Sequence, residues 1–306
     1  MRRGLSFAFC AAVFTLACDV GQTTVDGPRQ ANPGIAVDIL DAQTYAVRGG
    51  QTLQFDLYRP ADFAAGARPM VILIHGGSWF LDNRSDMTAW AYDLAAHGYV
   101  AATVDYRLAV GGVHYPLPVG DVLAAIRFFH DNAVTFGGDA SRIGLFGVSA
   151  GAHMAMLCGL TTDASIFDSD LPPGQTVPIT CVVDLFGRAD LAASSENAYE
   201  LLTLENFIGV PLDQAGDLLR QASPITYVRA DGPPVLLIHG DADSLIPVTQ
   251  SRSMHAALDA AGEENIYVEV PGMDHFPGLD WSGPFAQGYR QTVLSFLAEH
   301  LGGRAG

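Results

Sequence analysis

Ser149 is the first residue of this chain whose surroundings spell out chemistry, because it sits in the pentapeptide Gly147-Val148-Ser149-Ala150-Gly151. The run before it (142–146) reads as a buried strand, and the small apolar run after it (150–160) reads as a packed helix. A serine on so sharp a strand-to-helix turn must hold strained backbone angles, and the flanking glycines remove side chains that would clash there. The turn lifts Oγ above the sheet edge and aims the Ala150 amide at the same spot. At its ordinary pKa a serine hydroxyl is a poor nucleophile, so it needs a base within hydrogen-bond reach. His275, in the loop Gly272-Met273-Asp274-His275-Phe276 behind the last strand, is the best candidate. Its imidazole would take the Ser149 proton and pass it to a leaving group. The imidazolium formed on the way calls for a carboxylate on the other ring nitrogen. His239-Gly240-Asp241-Ala242-Asp243 offers two. Asp243 and Asp241 are the two candidates, and either completes the order Ser, Asp, His.

Other residues carry weaker signals. His75 and His239 stand at strand ends, where an imidazole ties loop backbone together. His153 follows the serine on its helix and reads as packed. Asp105 and Arg107 read as loop-locking ion-pair residues, and Asp121 and Asp139 as turn or cap residues. The sequence contains no H-E-x-x-H or C-x-x-C pair, so neither a catalytic metal nor any other cofactor is expected.

The elements that must position these residues follow from the apolar pattern. Residues 52–58 alternate, as a half-exposed strand near a sheet edge does. Continuous apolar runs at 70–74, 99–104, 143–146, 179–186 and 235–238 suit parallel strands covered on both faces. Helical patterns lie between them at 88–97, 119–132, 150–160 and 248–261, and a strand at 266–270 and a helix at 285–300 close the chain. Strand alternating with helix predicts an α/β fold with a doubly wound, mostly parallel sheet, whose ligands sit at the carboxyl ends of the strands. Residues 160–178 and 187–231 fit no sheet unit and read as loops and a small lid, with one apolar helical patch at 199–208.

With His75-Gly76-Gly77-Ser78-Trp79, the 239–243 motif and the 272–276 motif in view, residues 35–301 resemble the α/β-hydrolase carboxylesterases. The nearest branch is that of the hormone-sensitive-lipase-type and bacterial acetyl and feruloyl esterases. Kynurenine formamidases share an H-G-G-x-W element. The resemblance implies an H-G-x-x-D acid at Asp243. It also implies an oxyanion hole from the amides of Gly77, Ser78 and Ala150. The chain departs from the family's H-G-G-G at Ser78, a change that keeps the amide. Trp79, directly after, is expected to line the substrate pocket.

Composition bounds the rest. The chain has 306 residues, a formal charge of −17 and no lysine, all sixteen basic residues being arginine. Amine chemistry is thereby excluded, and nucleic acid is an unfavourable partner. Met1-Arg2-Arg3 and the apolar run 5–16 read as an export signal over residues 1–17. Thr15-Leu16-Ala17-Cys18 resembles a bacterial lipobox that would place a lipid anchor on Cys18, although Thr15 stands where an aliphatic residue is usual; free secretion is the alternative. Residues 18–34 read as a flexible tether and 35–306 as the hydrolase domain, in a periplasmic or extracellular setting. Cys158 and Cys181 either pair or lie separately in the core. The functional expectation is a serine carboxylesterase acting on short-acyl or aryl esters, including acetyl or feruloyl groups on polysaccharide. An arylformamidase or peptidase-like amide hydrolase is the alternative on the same fold, and a non-catalytic hydrolase-like binding protein is the alternative outside enzymes.

Overall fold

The apolar runs become the centre of one sheet in a computed structural model that describes residues 35–63, 67–168, 173–174, 176–193 and 198–302. Its strands are β1 (Val37–Arg48), β2 (Gln51–Pro60), β3 (Arg68–Ile74), β4 (Val100–Val104), β5 (Gly138–Val148), β6 (Cys181–Leu185), β7 (Val235–Gly240) and β8 (Asn265–Val270). They lie in the order β1-β2-β4-β3-β5-β6-β7-β8. β2 is antiparallel to both β1 and β4, and every pair from β4 through β8 is parallel. This is the α/β-hydrolase fold. The register brings Ile74 beside Gly147, Val148 beside Leu185 and Leu185 beside Ile238. The carboxyl ends of β3, β5, β6 and β7 therefore share one edge, and the loops bearing His75, Ser149 and Asp243 leave from it.

Helices cover both faces: α1 (Thr88–Ala96), α2 (Leu117–Asp131), α3 (Ala133–Phe136), α4 (Ala150–Leu160), α5 (Ala198–Ile208), α6 (Gly216–Gln221), α7 (Thr249–Ala261), α8 (His275–Gly278) and α9 (Pro284–Leu301). Residues of α2, α4, α5 and α7 join one hydrophobic cluster, and residues of α1 and α9 join the other. The α4 helix, apolar all round, is buried at all of its residues, as such a helix must be. That burial makes the nucleophile's helix a rigid support.

The structure departs from the sequence reading at several points. β1 is an added edge strand that the apolar pattern missed. Residues 187–231 hold α6 and short 3-10 turns besides α5, so they are more ordered than a run of loops. Asp121, expected in a turn or cap, is fully buried in α2 and takes Arg107 through Nε at 2.7 Å and Nη2 at 2.8 Å. A carboxylate on an apolar helix face stays charged only with such a partner. Cys158 and Cys181 are both buried and unbridged, and burial pushes both thiols up, Cys181 to about 12. Asp105 pairs with Arg84 at 2.7 Å. The export segment, Cys18 and the tether lie outside the described residues.

Candidate active site

At the end of β5, Ser149 adopts φ 55° and ψ −120°, a left-handed φ that side chains other than glycine rarely hold. Close packing enforces the turn. A Cβ on Gly147 would lie 2.3 Å from the Gly151 carbonyl oxygen, and one on Gly151 would lie 2.1 Å from that of Ile74. The Ser149 amide donates to the Leu185 carbonyl at 2.9 Å, tying the turn to the neighbouring strand.

His275 reaches this serine from the first turn of α8. Asp274 caps that turn: its Oδ1 accepts the His275 amide at 2.8 Å and also the Ser244 amide and hydroxyl, each at 2.8 Å. The cap thus joins the His275 loop to the loop carrying Asp243, a positioning role that the sequence reading missed. His275 Nε2 stands 3.0 Å from Ser149 Oγ, and its Nδ1 stands 2.7 Å from Asp243 Oδ2. Phe186 packs against the imidazole, with ring centroids 4.6 Å apart. The serine, histidine and Asp243 side chains are all buried.

Of the two aspartates after β7, only Asp243 reaches His275. Asp241 is exposed, and its Oδ1 accepts the Gly272 amide at 2.6 Å. Asp243 Oδ1 accepts the amides of Leu245 at 2.9 Å and Ile246 at 2.8 Å, and Oδ2 also faces His239 Nε2 at 3.3 Å. Burial opposes ionisation of this carboxyl. Hydrogen bonds from His239 and His275, with the amide of Ile246, outweigh it and hold Asp243 well below the usual carboxylate range.

The loop after β3 lies directly over the turn. A Cβ on Gly76 would sit 3.3 Å from Ser149 Cβ. Gly77, Ser78 and Trp79 all have positive φ (89°, 51° and 67°). Only glycine fits the first position, where a Cβ would meet the Leu81 carbonyl oxygen at 2.2 Å. The Gly77 carbonyl accepts the amides of Phe80 at 3.0 Å and Leu81 at 2.9 Å, which holds the loop in place. Among the described residues, no acceptor pairs with the amides of Gly77, Ser78 or Ala150. Ser78 and Ala150 line the cleft beside Ser149.

Trp79 is held more tightly than a simple pocket wall. Its ring stacks on Phe207 of α5 at 4.4 Å, and its Nε1 donates to His153 Nδ1 at 3.1 Å. His153 in turn donates from Nε2 to the Ala222 carbonyl at 2.7 Å. The indole therefore first ties the β3 loop to α4 and α5, and only its remaining edge bounds the cleft. That cleft is narrow and runs from Ser149 and Ala150 past Ser78 and Trp79 to Tyr199 and Glu200 of α5, Arg188, Leu245 and Ile246. The Ser78 hydroxyl lies 3.2 Å from the Tyr199 hydroxyl, so α5 touches the β3 loop directly. Arg188 and Glu200 form a buried ion pair in the cleft wall. The sequence reading singled out neither residue; an arginine just beyond an apolar strand end was the available signal.

The chain is similar to proteins named as esterases. The chain is 36% identical over 239 residues to Esterase LipC of Mycobacterium tuberculosis, an alignment covering 76% of this chain and 59% of LipC. It is 33% identical to Esterase LipQ of the same organism, covering 74% of this chain and 55% of LipQ. The chain thus matches little more than half the length of these relatives. Among solved structures, a truncated carbohydrate esterase from gut microbiota matches with a TM-score of 0.73 and 27% identity, over 88% of this chain and 98% of that one. The profile of the BD-FAE family matches residues 55–258, a span that includes Gly77, Ser149 and Asp243 and stops short of His275. The chain belongs to the BD-FAE family.

Proposed function

We propose that this protein is a serine carboxylesterase working through an acyl-enzyme. The observation that carries the reading is the continuous relay from Ser149 Oγ to His275 Nε2 (3.0 Å) and from His275 Nδ1 to Asp243 (2.7 Å). In this reading Ser149 attacks the ester carbonyl as His275 takes its proton. The tetrahedral oxyanion is held by the amides of Gly77, Ser78 and Ala150. His275 then gives the proton to the leaving alcohol, and water, activated by the same imidazole, releases the acid. Asp243 holds the ring in the tautomer with Nδ1 protonated and Nε2 free to accept. The relatives named as esterases and the structural neighbour named as a carbohydrate esterase support this reaction class.

The narrow cleft between the β3 loop and α5 favours short acyl groups, acetyl above all, or flat aryl groups such as feruloyl, carried by polysaccharide or small alcohols. Ser149→Ala should abolish hydrolysis, and a phosphonate should label the wild type at Ser149. A panel of p-nitrophenyl acyl esters, acetylated xylan, methyl ferulate and an aryl formamide tests the class. Turnover by the alanine variant would refute the nucleophile, and a preference for the formamide would move the reaction to amide chemistry.

We also propose export, with a lipid anchor at Cys18, from the residues at 1–18. A single acyl chain binds membranes with a constant of only about 10⁴ M⁻¹, so the anchor would need the several chains of a bacterial lipoprotein. Mass spectrometry of the native N-terminus beside a Cys18→Ser variant checks this. An unmodified terminus in the soluble fraction would mean free secretion.

A further inference from the structure

His239 is fully buried near the end of β7 and shares an oxygen with His275. Asp243 Oδ2 stands 2.7 Å from His275 Nδ1 and 3.3 Å from His239 Nε2. The same Nε2 lies 3.0 Å from the Ile246 carbonyl. Both of these oxygens only accept, so Nε2 carries the ring proton. On its other side, Nδ1 lies 2.7 Å from the hydroxyl of Ser251, a buried residue of α7 that can donate to it. Ser251 therefore fixes the tautomer that turns an N–H toward Asp243 and Ile246. Ile246 closes the clamp, because its amide donates to Asp243 Oδ1 at 2.8 Å while its carbonyl takes the His239 proton. Phe186 packs against both imidazoles, with centroids 4.6 Å from His275 and 6.3 Å from His239.

A strand that needed only to fill this space would carry another apolar side chain, as β7 does at Leu237 and Ile238. Burying an imidazole instead costs desolvation that its hydrogen bonds must offset. Two other charged side chains lie within electrostatic reach of the ring. Asp184 of β6 is buried and accepts the Gly187 amide. Glu269, opposite His239 on β8, is tied to Arg252 and Tyr267. Among the described residues, neither takes a hydrogen bond from the His275 ring, so Asp243 is the path by which His239 reaches the reaction. We propose that His239 is a positioning residue that holds the Asp243–Ile246 turn so that Oδ2 stays on His275 Nδ1, and that by sharing Oδ2 it tempers how strongly the carboxylate stabilises the imidazolium. This rests on the esterase reading above and extends its relay beyond Asp243 to His239 and Ser251.

The test compares His239→Leu, which fills the space without a donor, with His239→Gln, whose side-chain amide returns an N–H to the Nε2 position. Hydrolysis of p-nitrophenyl acetate is followed from about pH 5 to 9, per active site titrated by phosphonate at Ser149. The leucine variant should lose about 10- to 100-fold in kcat, the cost of misplacing a catalytic group by up to about 1 Å. The acid limb of its kcat/KM profile should also rise by about half a unit. With one donor fewer, Asp243 holds the His275 imidazolium more tightly, so the base is freed only at higher pH. Glutamine should restore most of kcat and bring the limb back. A merely structural histidine would lower the melting temperature and leave both kcat per labelled site and the limb in place. That result, or a glutamine variant no better than leucine, overturns the proposal. Should the leucine variant fail to fold, nitrogen NMR of the labelled imidazoles in the wild type decides. His239 should carry its proton on Nε2 at neutral pH, and a proton on Nδ1 alone overturns the clamp. A wild type that neither labels nor hydrolyses refutes the esterase reading beneath, whereas a labelled, active wild type with unaffected variants refutes His239 alone.

Discussion

Replacing Asp243 with asparagine tests the relay at the point where the geometry is most constraining. Asp243 Oδ1 accepts two backbone amides, from Leu245 at 2.9 Å and Ile246 at 2.8 Å. An asparagine must keep its carbonyl oxygen there, because turning its NH₂ toward two donors would leave both amides unpaired in a buried place. The NH₂ is therefore forced to the Oδ2 position, facing His275 Nδ1 at 2.7 Å. Two donors cannot share that contact, so the ring shifts its proton to Nε2, where it can no longer accept from Ser149. In a serine protease triad the same change costs about 10⁴-fold in kcat, or about 5.5 kcal/mol of transition-state stabilisation. Asp241→Asn is the matched control: among the described residues it accepts from the Gly272 amide at 2.6 Å, which an asparagine oxygen also serves. It should change kcat less than about threefold, the effect of an exposed turn residue. Stopped-assay kcat on p-nitrophenyl acetate decides the matter, measured well below the melting temperature of each variant. If Asp241→Asn loses more activity than Asp243→Asn, the carboxylate has been assigned to the wrong residue and the relay reasoning fails.

Two further outcomes are expected. Burial pushes Asp184 in β6 up to about 6, against an unfolded value of about 3.9. Between those values the folded state holds a proton that the unfolded state has lost, so this residue costs stability as pH climbs from about 4 to 6, by about 3 kcal/mol. Asp184→Asn keeps the bond from the Gly187 amide (2.7 Å) and removes the charge. Urea denaturation should find it more stable than wild type at pH 8, with the gap closing by pH 4; a gap independent of pH would refute the buried-charge account. Gly151→Ala puts a Cβ 2.1 Å from the Ile74 carbonyl oxygen and 2.4 Å from that of His75. It should cost about 3 kcal/mol or more, whereas Gly216→Ala meets nothing within 4 Å and should be neutral or stabilising. Equal melting temperatures for the two variants would show that the contact between α4 and the end of β3 is not close-packed.

Features encoded by neighbours in the chain were legible from the residues alone. The central strands are unbroken apolar runs, because both of their faces are covered. The turn at Ser149 announces itself through two glycines whose missing side chains are replaced by backbone in the fold. β1 was not legible: half of its residues are exposed and only Tyr45 is buried, and register shifts between Leu40 and Gln43 and between Thr44 and Ala46 break the alternation that would mark a strand. Asp121 looked like a turn residue because its partner Arg107 lies 14 positions earlier, outside any local pattern. The Arg188–Glu200 pair escaped notice for the same reason: an arginine beyond a strand and a glutamate on a separate helix acquire meaning only once α5 folds over the cleft.

The histidines around the serine show why residue type alone does not identify a base. His75, His153 and His239 are all buried near the same sheet edge, yet the ring contacts of each are structural. His75 stacks on Tyr106 at 4.2 Å and pairs through Nδ1 with the Gly76 carbonyl. His153 bridges Trp79 to the Ala222 carbonyl. His239 spans the Ser251 hydroxyl and the Ile246 carbonyl. Burial lowers His75 and His153 to about 4, so both stay neutral and tie loops together without competing for protons at neutral pH. Their folded values lie below the unfolded 6.5, so the stability they contribute is complete above about 6.5 and drains away as pH falls toward 4. His275 sets the Asp243 carboxylate on Nδ1 and leaves Nε2 to the Ser149 hydroxyl alone. His239 also meets a hydroxyl, of Ser251, and the Asp243 carboxylate, but its Nε2 is shared with the Ile246 carbonyl and neither nitrogen reaches Ser149. A base must accept a proton at the nitrogen that faces the nucleophile, and the other three rings have that nitrogen occupied or turned elsewhere. The assignment of His275 therefore follows from what its two nitrogens touch, and the surrounding histidines act as the frame that keeps those contacts in place.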